Sequence, residues 1–137
     1  MPDVLAAEVP KKTFVTGVRG RRYFKLNAAC RLINKFMPGD GHTYLVGSTL
    51  RTDDFHDVDV RYMMADADWE RVFNGADPRD PRLNGIWSLL CFTVSEWLSN
   101  ETGLDVDFQI QQQTRANEDF PGPRSALGHT EFYPGGG

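Results

Sequence analysis

Long apolar runs are missing from this 137-residue chain, and none approaches the roughly 20 residues that a membrane-spanning helix needs. No basic-then-apolar segment opens it, so the expectation is a cytoplasmic protein without a secretory signal. Cysteine is scarce. Cys30 and Cys91 each sit among apolar residues in an expected helix, where a reduced thiol serves as a small buried hydrophobe. Histidine is nearly as rare, and His42, His56 and His129 are scattered without cysteine partners at ligand spacing, which argues against a zinc site. Internal repeats and low-complexity domains are absent too. The length suits one domain with a real core and leaves no room for a separate substrate domain.

What is present begins with a globular composition, 40% hydrophobic and 12% aromatic, enough apolar material to fill such a core. The net charge of −4 conceals an asymmetry. Residues 1–37 hold eight Lys and Arg against Asp3 and Glu8, a net +6, and the remaining 100 residues carry −10. Arg19, Arg21, Arg22 and Lys25 belong to this basic segment and could contact phosphates of a triphosphate or a nucleic acid. A solvated helix face accounts for the same charges.

Residues 1–20 contain Pro2, Pro10, Gly17 and Gly20 and read as an extended leader. Residues 22–37 read as a helix, with Phe24, Leu26, Ala28, Ala29, Leu32, Ile33 and Phe36 recurring at helical intervals. Strands follow at 42–46 and 56–64, then a short helix from Asp66, as its cap, through Asn74. A longer helix is expected over 83–100, its core side being Ile86, Leu89, Leu90, Phe92, Thr93, Val94, Trp97 and Leu98, with Gly103 marking its end. Residues 104–112 form a third strand. Residues 113–137, polar and rich in Pro and Gly, read as an extended or partly disordered arm. This order predicts an α/β (α+β) core over 21–112, a small mixed sheet with helices on one face.

The most telling stretch is Tyr44-Leu-Val-Gly-Ser48, followed after eight residues by Asp57-Val-Asp-Val60. On a strand, alternate side chains share a face, so Asp57, Asp59 and Arg61 project together while Val58, Val60 and Tyr62 point into packing. Adjacent carboxylates repel unless a cation or a proton lies between them. Hard oxygen donors of this kind suit Mg²⁺, which completes its shell with water and substrate phosphates. The Gly47-Ser48 turn can offer backbone N–H groups and a hydroxyl to phosphate oxygens. A solvent-facing edge strand and an ordinary turn would use the same residues separately; their order, with an acidic third strand downstream, favours a metal-and-phosphate site.

The pattern resembles the nucleotidyltransferase superfamily, with its DNA polymerase β-like fold. That signature is an apolar residue, Gly, then Gly or Ser, a short loop, an Asp-x-Asp or Asp-x-Glu pair, and a third carboxylate on a later strand. Val46-Gly47-Ser48 and Asp57-Val58-Asp59 match the first two parts, and Gly103-Leu-Asp-Val-Asp-Phe-Gln-Ile110 supplies the third. The match covers residues 42–112. It departs in a slightly short loop and in Thr49-Leu50-Arg51, which stands where an Arg and a Gly often follow the Gly-Ser pair. For the third carboxylate, Asp107 is better centred in its strand and is preferred, with Asp105 the alternative.

The resemblance implies an enzyme that moves an NMP from an NTP to a hydroxyl of an acceptor and releases pyrophosphate. Asp57, Asp59 and Asp107 would hold Mg²⁺ (or Mn²⁺), Asp107 also helping to deprotonate the acceptor. Gly47 and Ser48 would hold phosphate, and Arg51, or a basic residue of the N-terminal helix, would neutralise developing charge. Small stand-alone members include antibiotic-modifying enzymes, toxin–antitoxin nucleotidyltransferases and proteins of phage and bacterial genomes. The acceptor is not legible: nucleic acid, protein and small molecule all fit. A homodimer or partner chain is expected to complete the cleft, and a non-catalytic nucleotide-binding or antitoxin-like module is the alternative on the same fold. Gln109 and Gln111, on the same face as Asp107, could hydrogen-bond an acceptor or a nucleobase, or simply face water.

Overall fold

The computed structural model describes residues 18, 20–47 and 57–128. Helix α1 (Gly20–Phe36) leads into β1 (His42–Val46), and β2 (Val58–Met64) is followed by α2 (Asp66–Phe73). A 3-10 turn at Pro81–Leu83 precedes α3 (Gly85–Thr102), then come β3 (Val106–Gln112), α4 (Gln113–Asp119) and β4 (Ser125–Ala126). The strands form one mixed sheet in the order β3-β2-β1-β4, in which β1 runs antiparallel to β2 and β4 while β2 and β3 are parallel. The chain is therefore the mixed α/β fold that the element order predicts.

Strand periodicity divides the sheet into two unlike faces. Val58, Val60, Tyr62 and Met64 of β2 are fully buried, as are Leu45 of β1 and, nearly so, Val106, Phe108 and Ile110 of β3. These side chains join Leu26, Cys30 and Ile33 of α1 and Trp87, Cys91 and Leu98 of α3 in one core. Burial pushes the Cys30 thiol up to about 12 and the Cys91 thiol to about 11, so both behave as packed hydrophobes rather than reactive thiolates. On the opposite face of β2 and β3, Asp59, Arg61, Asp107, Gln109 and Gln111 are half-buried and Met63 is buried.

Helix α3 does more than cover the core, because β3 is an edge strand with unpaired backbone groups. Val106 N–H donates to Ser99 Oγ at 3.0 Å, Phe108 N–H to Ser95 Oγ at 2.8 Å, and Trp87 Nε1–H to the Ile110 carbonyl at 2.9 Å. Trp87, Cys91, Ser95 and Ser99 repeat every four residues, so one stripe of α3 satisfies the edge of β3. The rotation this imposes overturns the expected core side. Leu98 is buried and Leu90 and Val94 are half-buried, but Ile86, Leu89, Phe92, Thr93 and Trp97 face solvent. On α1, likewise, Leu26, Ala29 and Ile33 are buried whereas Phe24, Ala28, Leu32 and Phe36 are exposed.

Two further expectations are corrected at the chain's local signals. Asp66 is the first residue of α2 rather than its cap; Ala65 holds the cap position and provides no side-chain hydrogen bond. The Asp66 carboxylate instead accepts from the backbone N–H and the hydroxyl of Thr114, satisfying donors in the first turn of α4. The segment expected as an extended arm from residue 113 is thus helical at its start and rejoins the sheet at β4, which pairs with β1. By contrast α3 ends as its sequence indicates, Gly103 closing it in the left-handed conformation, whereas it starts two residues later than expected, with Asn84 outside it as the cap whose Oδ1 accepts from Trp87 N–H.

The return of the chain depends on Gly128. Its φ is +73°, and a Cβ there would lie 2.5 Å from the Arg31 backbone nitrogen, so only glycine lets the chain lie against α1. Asn27 Oδ1 accepts from Gly128 N–H, and Asn34 ties α1 both to Thr43 of β1 and to the Leu127 carbonyl.

Candidate functional site

The β2–β3 register brings the acidic residues together. Asp59 is paired with Asp107, and Val46 of β1 lies opposite Asp59 on its other side. Both carboxylates stand on the sheet face that α1 and α3 leave uncovered. Asp57 is exposed and immediately precedes the β2 ladder. Asp105 is exposed as well and precedes β3, its carbonyl accepting from Val58 N–H at 2.9 Å. Asp107, not Asp105, is the residue set beside Asp59.

Arg61 sits between the two carboxylates. Its Nη2 lies 3.3 Å from Asp107 Oδ2 and 3.8 Å from Asp59 Oδ1, and its Nη1 donates to the Asp107 carbonyl at 2.8 Å. The guanidinium side chain is 14% exposed, and the Asp59 and Asp107 side chains are 29% and 46% exposed. Arg61 is a site member that sequence reasoning placed on the right face but gave no role. The signal was the Asp-x-Asp-x-Arg alternation itself.

Burial pushes the Asp59 carboxyl above the ordinary carboxylate range; Arg61 opposes this, and the Asp107 and Asp57 charges add to it. The ionised form of Asp59 is therefore held at a cost, a mark of sites that bind cations or move protons. Gly47 closes the site from β1. Its φ is +82°, which favours glycine, and a Cβ there would stand 2.5 Å from Asp59 Oδ2, so any other residue would have to displace that carboxylate. Ser48 and Arg51, the other expected phosphate contacts, lie outside the described residues, as do His56 and Arg19. Arg21, Arg22 and Lys25 are exposed on α1, in the helical layer rather than on the open face.

The donor chemistry fits a hard divalent cation in part. Asp59 and Asp107 present carboxylate oxygens to a common space, but Arg61 already supplies positive charge there. Among the described residues no group of three or more His, Cys, Asp or Glu side chains is arranged to hold a metal. A cation at this place would have to share the carboxylates with Arg61 and draw in Asp57.

Beside the carboxylates lies a groove of about 370 Å³. Arg61, Met63, Gln109 and Gln111 of the open face form its floor, and Phe120 and Arg124, from the segment between α4 and β4, form its wall. That segment crosses the open face from the β3 side to the β1 side. Arg124 secures it by donating to Asn117 Oδ1 and to the carbonyls of Ala116 and Phe120. An adjoining depression of about 410 Å³ shares Gln109, Gln111 and Phe120. Its arginines are already occupied: Arg79 by Glu118 and Asp119, Arg82 by Asp80, Arg115 by Asp119.

Compared with known proteins, the chain matches no family model, no curated protein and no solved structure. Among the described residues, no helix is long and apolar enough to cross a membrane.

Proposed function

We propose that this chain is a Mg²⁺- or Mn²⁺-dependent nucleotidyltransferase that moves an NMP from an NTP to an acceptor hydroxyl and releases pyrophosphate. One observation carries the reading: Asp59 and Asp107 lie side by side on an uncovered sheet face, with Gly47 against the Asp59 carboxylate. Asp57, Asp59 and Asp107 would hold the cation. Bound there, it would neutralise phosphate charge and lower the pKa of the attacking hydroxyl. Asp107 would orient that hydroxyl and accept its proton, and Gly47 leaves room for a phosphate to approach the backbone. A cytosolic setting accords with two free, buried cysteines. A homodimer or partner chain is supported by the exposed Phe24 and Phe36 of α1 and Leu89 and Phe92 of α3, large apolar side chains that a second surface would cover.

Arg61 favours a second reading. A guanidinium that already neutralises the carboxylates suits a non-catalytic nucleotide-binding or antitoxin-like module on the same fold. Incubation with each labelled NTP and Mg²⁺ or Mn²⁺, scored for label on RNA, protein and small acceptors, separates the two. The enzyme reading expects divalent-dependent transfer that falls by at least about 100-fold in Asp57→Asn, Asp59→Asn and Asp107→Ala. Nucleotide binding without transfer under any of these conditions would leave only the module.

A further inference from the structure

We propose that the groove beside the carboxylates is a nucleobase pocket that selects a base bearing an exocyclic amine, with Gln111 as the reading residue. The inference rests on the nucleotidyltransferase reading and names the end of the substrate that the carboxylates do not touch.

Three observations converge on it. The groove, at about 370 Å³, falls within the range of small-ligand sites and has room for a base with its ribose. Gln111 lines that groove, and among the described residues its Oε1 is a buried oxygen without a hydrogen-bond partner. A buried acceptor without a donor costs stability, which a ligand N–H would relieve. The amines of adenine, cytosine and guanine are such donors, whereas uracil carries a carbonyl oxygen in the place of the cytosine amine and donates only from its ring N3–H. Phe120 supplies the aromatic surface: the ring is partly exposed, and the Arg115 guanidinium lies 4.9 Å from its centroid, fixing its place in the wall. A base stacked on a ring and read by one amide is a recurrent mode of nucleotide recognition.

The orientation follows from charge. Toward the adjoining depression, Arg79, Arg82 and Arg115 are each engaged by carboxylates and offer little to a triphosphate. Toward β1, Gly47 and Arg61 belong to the groove and to the carboxylate site alike. With its base at Gln111, a nucleotide therefore extends its phosphates toward Gly47, Asp59 and Asp107.

Nucleosides test this without metal or phosphate. Binding is measured by calorimetry in EDTA for adenosine against purine riboside, which lacks the amine, and for cytidine against uridine. The expected result is at least a ten-fold preference for the amine-bearing member of one pair. Gln111→Met, which keeps the side-chain length, should abolish that preference with thermal stability unchanged or raised. Equal affinities within both pairs, no binding at millimolar nucleoside, or a preference that survives Gln111→Met would each overturn the inference. A chain that prefers the amine yet transfers no label would remove the enzymatic reading and leave the pocket standing. One that transfers label without regard to the amine would do the reverse.

Discussion

The two faces of β2 differ by one residue of register and by almost everything else. Val58, Val60, Tyr62 and Met64 have no exposed surface, and nothing polar on that side of the strand asks for a partner except the Tyr62 hydroxyl, which accepts from Gly41 N–H. Asp59 and Arg61, alternating with them, are half-buried and mutually paired, with Asp107 next to both. A strand packed on one side is rigid, and rigidity is what two like charges need if they are to stay close. The covered face thus holds the open face in a geometry that the open face alone would disfavour.

Phe108 and Gln109 are neighbours on β3 that sharpen this contrast. Phe108 is almost wholly buried, and Phe108→Ala should cost about 3–5 kcal/mol in urea or thermal unfolding. Gln109→Ala on the open face should stay within about 0.5 kcal/mol. Comparable losses would mean that the open face is a second core and not a site.

How far this was legible depended on which residues answer to a period. The alternation of β2 and β3 is set by burial on one side only, so the strands, the mixed sheet and the facing of Asp59 and Asp107 could be read from spacing. Helix α3 could not be read the same way. Its inward stripe includes Ser95 and Ser99 because the edge of β3 requires hydrogen-bond donors and acceptors, and that requirement is invisible until β3 is known to be an edge. Arg61 was visible as a position but not as a partner, since its partner Asp107 is 46 residues away. The groove wall was hidden for another reason. Residues 120–124 are held by Arg124 bonds to Asn117 and to backbone carbonyls, an arrangement with no periodic signature, in a segment whose Pro and Gly suggested an arm.

Gly47→Ala probes the boundary between the two faces. The left-handed backbone alone should cost about 1–2 kcal/mol, and the added methyl group must displace the Asp59 carboxylate. Thermal unfolding should register the first effect. The second should appear as a loss of divalent-dependent nucleotide binding larger than the loss of stability explains. Wild-type binding by a variant destabilised as expected would show that the position of Asp59 is not critical to the site.

Asp59→Asn should give a small effect of opposite sign. Burial raises the Asp59 pKa in the folded protein despite Arg61, so the folded state holds this proton more tightly than the unfolded chain does. Below the unfolded value of about 3.9 the carboxyl is protonated in both states and exacts no penalty. As pH rises from there through the folded pKa, the unfolded chain releases its proton first and stability is lost, so at neutral pH the full cost of the buried charge is present. Asn keeps the shape and removes the charge, and Arg61 retains Asp107 at 3.3 Å. The variant should therefore be modestly more stable than the parent at neutral pH, with the difference shrinking as pH falls toward 3.9. Urea unfolding followed by circular dichroism at several pH values measures that difference. A variant less stable at neutral pH would mean that the Arg61 pairing outweighs burial. Asp59 would then be a structural partner of Arg61, and the open face would lose its strained carboxylate.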